Sequence, residues 1–177
     1  MRSARDVHGE VYKLVGIFSI AFLSYMLSYF VPSGSVGKVL GIHAPCLGLA
    51  IFGGLIYVFW ISLAREVFGR WSGVVVSVLT VSFILMSEPW YGVTSPYYFG
   101  IFGFLSFLSM GILTEFWNGG LGMVSCVLIN WFAFAYFKGL YTNPLMATSL
   151  LAIAFVVGYI SDKLAKVVPK LFSKNIS

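Results

Sequence analysis

Apolar residues fill this chain in long stretches that short polar breaks interrupt. A helix of about 20 apolar residues crosses ~30 Å of hydrocarbon. On that rule six spans are predicted, at about 11–31, 44–64, 71–87, 96–116, 121–137 and 145–161. Pro32-Ser-Gly-Ser ends the first, and the segment 36–42, which holds Lys38, is too short to cross. Arg65-Glu-Val-Phe-Gly-Arg70 closes the second. The fourth stops at Asn118-Gly-Gly, and the fifth leaves through Lys138-Gly-Leu-Tyr-Thr-Asn-Pro144. A basic tail, 162–177, follows the sixth. The expected fold is all-α: a six-transmembrane-helix bundle, one integral membrane domain over 1–177 with no linker or soluble module.

Composition and charge sharpen this reading. Only 10% of the residues are charged and 59% are hydrophobic, against roughly 25% charged in a soluble domain. The net charge of +5 therefore reports on loops and orientation. No run of Lys and Arg is dense enough for a nucleic-acid site, so no nucleic acid is expected as a partner. With the N-terminus inside, nine basic residues fall on the cytoplasmic side: Arg2, Arg5, Lys13, Arg65, Arg70, Lys163, Lys166, Lys170 and Lys174. Two, Lys38 and Lys138, fall on the other. The positive-inside rule then places both termini in the cytoplasm of a multi-pass protein of the plasma membrane. Residues 1–13 are polar and the first apolar run is long, so no cleavable signal is expected.

The break between spans three and four is the richest in chemistry: Leu85-Met-Ser-Glu88-Pro-Trp90-Tyr-Gly-Val-Thr-Ser-Pro96-Tyr-Tyr98. Two prolines restrict their neighbours and remove backbone donors, so one helix ends and another begins here. Glu88 is costly near hydrocarbon unless it meets protein, water or a cation. A carboxylate among Trp90, Tyr91, Tyr97 and Tyr98 is one way to hold a flat, cationic organic ligand. The same aromatics also suit an interfacial turn, and the residues leave both readings open. The orientation puts this turn, His43 and the Lys138–Asn143 loop on one outer face. Asn130 and Trp131 lie in the outer half of the fifth span, with Asn130, Phe134 and Lys138 on one helical stripe.

Other features point elsewhere. Glu115 ends the fourth span ~30 Å from the outer loop, where it cannot share a ligand with Glu88 and is free to face water or a partner's cation. Ser24 and Ser28 make a small-xxx-small pair, which suits either packing within the bundle or docking of a partner helix. Cys46 and Cys126 are lone and apolar-flanked, which makes them inert packing residues. No GxSxG, HExxH, CxxC or phosphate-cradling GxxxxGK occurs. No enzyme, metal or cofactor is expected.

The strings His43-Ala-Pro45-Cys-Leu-Gly48, Arg65-Glu-Val-Phe-Gly69-Arg70-Trp-Ser-Gly73, Glu88-Pro-Trp-Tyr-Gly92, Gly103 and Gly111-Ile-Leu-Thr-Glu115-Phe carry a resemblance. The chain resembles the S components of energy-coupling factor (ECF) vitamin transporters, and is most similar to their thiamine and hydroxymethylpyrimidine type. The resemblance implies a six-helix substrate-binding subunit that holds its ligand near the outer face. It implies as partners the lipid bilayer, a transmembrane coupling subunit and two ATPase subunits. The family's first span carries an Ala-xxx-Ala docking pair, and only Ser24 and Ser28 keep that spacing here. On this reading the chain captures a small aromatic, cationic, vitamin-like ligand. Glu88 would neutralise its charge. Trp90, Tyr91, Tyr98 and Trp131 would stack on its ring, and Asn130 and His43 would hydrogen-bond it. Ser24, Ser28 and Glu115 would serve partner docking. The alternative is a non-transport accessory or assembly subunit of a larger membrane complex, its outer aromatics serving only as membrane anchors.

Overall fold

A computed structural model describes residues 4–31, 46–87, 96–139 and 141–174, the side chains of 4–8, 96–99 and 172–174 excepted. These residues form six helices and no strand. They are α1 (Ala4–Phe30), α2 (Leu47–Phe68), α3 (Ser72–Ser87), α4 (Pro96–Phe116), α5 (Gly119–Lys138) and α6 (Pro144–Lys174). Four of them, α1, α2, α5 and α6, are long and apolar enough to cross a membrane. The chain is a membrane-embedded protein. α3 and the 100–116 part of α4 are equally apolar but shorter.

The helix ends follow local chemistry. Gly69, at φ 84, ends α2 in a backbone region that glycine adopts at little cost. Asn118 accepts from the Leu121 N–H at 2.9 Å and so starts α5. α4 ends at Phe116, just before the Asn118-Gly-Gly string, as expected; the same string also opens the next helix, because the side-chain cap satisfies a donor that the first turn leaves bare. Asn143 does the same for α6 through Leu145, with Pro144 at the first helical position.

Three boundaries depart from expectation. α1 starts at Ala4, ahead of the expected 11, and α2 continues four residues past 64, to Phe68. More consequentially, the basic tail is not separate from the sixth span, because α6 runs unbroken for 31 residues to Lys174. Polarity ends the apolar run without ending the helix: Asp, Lys, Leu and Ala all tolerate helical backbone, and Asp162 and Lys166 pair one turn apart at 2.8 Å.

α2 is the central helix and touches each of the other five. Around it α1 packs on α3, α3 on α4, α4 on α5 and α5 on α6. Large apolar side chains such as Phe18, Phe22, Ile153 and Ile160 point outward. The interior holds small polar ones, including Ser62, Ser77, Thr80, Ser106 and Thr114. That distribution suits lipid, which offers helices no hydrophobic drive and leaves close approach and interhelical hydrogen bonds to hold them. The tightest approach joins α5 and α6, where a Cβ on Gly119 would lie 2.6 Å from the Gly158 carbonyl oxygen. Only glycine fits there.

α2 also contains a π-helical turn, Gly54–Val58. The turn widens the hydrogen-bond ring, so the Phe59 N–H bonds the Gly54 carbonyl five residues back. The Ile56 carbonyl accepts from Ser24 Oγ of α1 at 2.7 Å.

Candidate functional site

The bundle has two polar ends with different chemistry. At the first, α2 begins, α3 ends, α4 begins and α5 ends. Phe102 of α4 meets Phe132 and Phe137 of α5 there, at 5.9 and 5.6 Å between ring centroids. Of the expected ligand residues, His43, Glu88, Trp90 and Tyr91 lie outside the described residues, and Tyr98 lies in the first turn of α4. Asn130 and Trp131 are described, and they lie in the half of α5 nearer this end.

Asn130 is 2% exposed. Its Nδ2 donates to the Cys126 carbonyl, one turn earlier, at 2.8 Å, and approaches Cys126 Sγ at 3.8 Å. The amide therefore bonds within its own helix, which satisfies one donor of a polar group that would otherwise be costly in apolar surroundings. Along the stripe that Asn130 opens, Phe134 is buried and Lys138 is exposed as α5 leaves the bundle. Trp131 is partly buried and packs on the core. Cys46, which precedes α2 with a left-handed backbone (φ 63), packs on the same core.

At the opposite end lies a cluster that the sequence reading missed. Asp162 of α6 is fully buried. Its Oδ1 accepts from Ser62 Oγ at 2.7 Å and Arg65 Nη2 at 3.2 Å, and its Oδ2 from Lys166 Nζ at 2.8 Å. Arg65 extends the network, since its Nη1 donates to the Thr114 carbonyl at 2.6 Å and the Glu115 carbonyl at 3.3 Å. Those carbonyls belong to the last turn of α4 and lack helical partners of their own. One guanidinium thus ties α2 to α4 and α6. Glu115 completes the set: its Oε1 accepts from the Trp71 N–H at 2.9 Å, just ahead of α3. Its Oε2 is buried against Gly73 without a hydrogen-bond partner among the described residues. Arg70 lies over the Phe116 ring at 5.3 Å and the Trp71 ring at 6.0 Å.

A buried carboxylate is tolerable only with its charge paired and its lone pairs filled. Asp162 has three donors from two helices, its own and α2, so the cluster acts as a clamp on the bundle. The spacings Ser62-x-x-Arg65 and Asp162-x-x-x-Lys166 place each pair on one helical face, which was the available signal. The sequence reading took Arg65 as a span end and Arg65 and Lys166 as marks of orientation, and did not join either to Asp162.

The expected docking residues sit as follows. Ser24 and Ser28 are buried, Ser24 bonded to Ile56 of α2 and Ser28 Oγ to the Tyr25 carbonyl at 2.6 Å. Their stripe faces the chain's own interior, where two short hydroxyls let α1 approach α2 and supply an acceptor with a donor. Glu115 is only partly accessible, with one oxygen engaged by Trp71.

No family model, curated protein or solved structure matches this chain.

Proposed function

We propose that the chain is the substrate-capture subunit of an ECF-type importer in the plasma membrane. Its six helices all cross the bilayer with both termini in the cytoplasm, and it binds a small aromatic, cationic, vitamin-like molecule at the outer end. The observation that carries this reading is the division of polar chemistry between the two ends. At the inner end the charges answer one another: Asp162 is matched by Arg65 and Lys166, and the Glu115 and Arg70 side chains lie against neighbouring helices. Toward the other end a buried amide, Asn130, and Trp131 lie in the half of α5 nearer Lys138, and Glu88 brings an acid among aromatics in the sequence.

In this proposal Glu88 supplies the counter-charge and Trp90, Tyr91, Tyr98 and Trp131 supply stacking faces. A cation desolvated against an aromatic ring gains about 2 kcal/mol per ring, so several contacts and an ion pair reach nanomolar affinity, about −12 kcal/mol. Asn130 and His43 hydrogen-bond the ligand. A transmembrane coupling subunit and two ATPases supply the energy.

Quenching of tryptophan fluorescence by thiamine, hydroxymethylpyrimidine, riboflavin and biotin tests the reading. Saturable quenching by a flat, cationic compound is expected. No quenching by any of them, in protein shown to be folded, would leave the accessory-subunit reading in its place.

A further inference from the structure

A groove runs down the outside of the bundle between α4 and α5. Phe102, Leu105 and Ile112 of α4 and Leu128, Ile129 and Phe132 of α5 line it, around a volume of about 480 Å³. The one polar residue in its wall, Ser109, is already engaged. Its Oγ donates to the Ser106 carbonyl at 2.9 Å and lies 3.2 Å from Ser125 Oγ. Leu105, Leu128 and Phe132 are exposed, so the groove opens outward, where a membrane-embedded chain meets lipid. Phe102 and Phe132 close its far end, their ring centroids 5.9 Å apart. From Ile112 to Phe102 the helix rises about 15 Å, half of ~30 Å of hydrocarbon and so the depth of one leaflet.

A cation stands at the other end of this groove. Leu105, Ser109 and Ile112 share a helical stripe with Phe116, about one turn or ~6 Å beyond Ile112. The Arg70 guanidinium lies over the Phe116 ring at 5.3 Å and the Trp71 ring at 6.0 Å. Arg70 is exposed and takes part in none of the ion pairs among the described residues. Its seat is fixed at some cost. Trp71 has a left-handed backbone, φ 72, which is unfavourable for a bulky side chain, and Glu115 Oε1 holds its N–H there at 2.9 Å. Trp71 and Trp117 are both exposed beside the cation, as indoles at the headgroup level are. A guanidinium seated on rings keeps its planar fork of N–H donors, which matches a phosphate. The groove alone would accept any apolar chain; the guanidinium at its head selects one that carries negative charge.

We propose that the α4–α5 groove and Arg70 form one binding site for an anionic phospholipid, with an acyl chain along the groove and the phosphate on the guanidinium. The site uses none of the residues assigned to ligand capture. A failed ligand titration therefore leaves it standing, and its own failure leaves the ligand reading standing.

The test places the full chain in nanodiscs of equal parts phosphatidylglycerol and phosphatidylcholine with identical acyl chains. Native mass spectrometry then counts the lipids that stay on the released protein. One phosphatidylglycerol should be retained in preference to phosphatidylcholine. Arg70→Gln should lower that retention about fivefold and leave phosphatidylcholine as it was. Leu128→Trp puts an indole into the groove and should lower retention of both lipids with Arg70 in place. Glycerol phosphate, a headgroup without chains, should not be retained. The unfolding temperature in detergent shows that each variant is folded; if Arg70→Gln does not fold, the wild-type comparison and Leu128→Trp decide. Equal retention of the two lipids by wild type would overturn the proposal. So would retention that Arg70→Gln or Leu128→Trp leaves unchanged, or glycerol phosphate held as firmly as the lipid, which would mark an anion site without the groove.

Discussion

In the proposed function the two ends of the bundle use acids in opposite ways. Asp162 sits at 0% exposure with three donors on its two oxygens, and each bond joins it to another helix or to the next turn of its own. Glu88 sits in a stretch with no basic residue between Lys38 and Lys138 except Arg65 and Arg70, which the structure commits to the other end. An acid whose charge is matched by cations of its own chain acts as a structural clamp, as Asp162 does. In the proposed function Glu88 is instead the acid that answers a cation brought from outside.

The sharpest way to break this comparison is at the clamp. Asp162→Ala removes one partner of a buried pair and leaves Arg65 and Lys166 to share a desolvated pocket. A loss of about 3 kcal/mol is expected, read as a lower unfolding transition in detergent, with ligand affinity retained in the fraction that stays folded. Replacing Ser62, Arg65, Asp162 and Lys166 together by apolar residues of similar size should restore much of that loss, because no orphaned charge of the network remains. A quadruple variant as unstable as the single one would mean that the network contributes more than charge compensation.

Smaller effects sharpen the picture along the helices. Gly119→Ala drives a methyl group into the Gly158 carbonyl and should cost about 1–3 kcal/mol as α5 and α6 move apart; the same unfolding assay checks it. Ser24→Ala leaves the Ile56 carbonyl of the π-helical turn without its donor. A cost of about 1 kcal/mol is expected, and Ser24→Thr should recover part of it. The smallest effect belongs to Glu115→Gln, which keeps an acceptor for the Trp71 N–H. Ligand affinity should be unchanged within error by fluorescence titration, since a helix length of ~30 Å separates it from the outer turn.

The helices themselves were legible, because a lipid-spanning helix must be apolar for a fixed length and short polar breaks leave little choice of boundary. Pro96 marks the start of α4 in both sequence and structure, and α6 starts at Pro144, one residue ahead of the expected 145. What was not legible had physical causes. Hydropathy reports contact with lipid, not backbone conformation, so it lost α6 at Asp162 although the helix continues to Lys174. The π-helical turn at Gly54–Val58 leaves no mark on an apolar pattern, and with it went the role of Ser24, whose partner is a carbonyl of the widened turn. The Ser62–Arg65–Asp162 network joins residues about a hundred positions apart. Each looked ordinary alone, and only the packing of α2 on α6 makes them one group. Asn130 and Trp131 lie in the half of α5 nearer Lys138, as the sequence placed them; nothing in the sequence marked that the Asn130 amide bonds within its own helix.

The most direct test is a thiamine titration by tryptophan quenching of wild type, Glu88→Gln and Asp162→Asn side by side, each shown to be folded. Removing one member of a desolvated charge pair costs about 2–5 kcal/mol, so Glu88→Gln should bind at least about thirtyfold more weakly while unfolding at the wild-type temperature. Asp162→Asn should do the reverse, unfolding earlier and binding as wild type does. If Glu88→Gln binds like wild type, or Asp162→Asn loses binding while fully folded, the division between a capturing end and a clamping end is wrong.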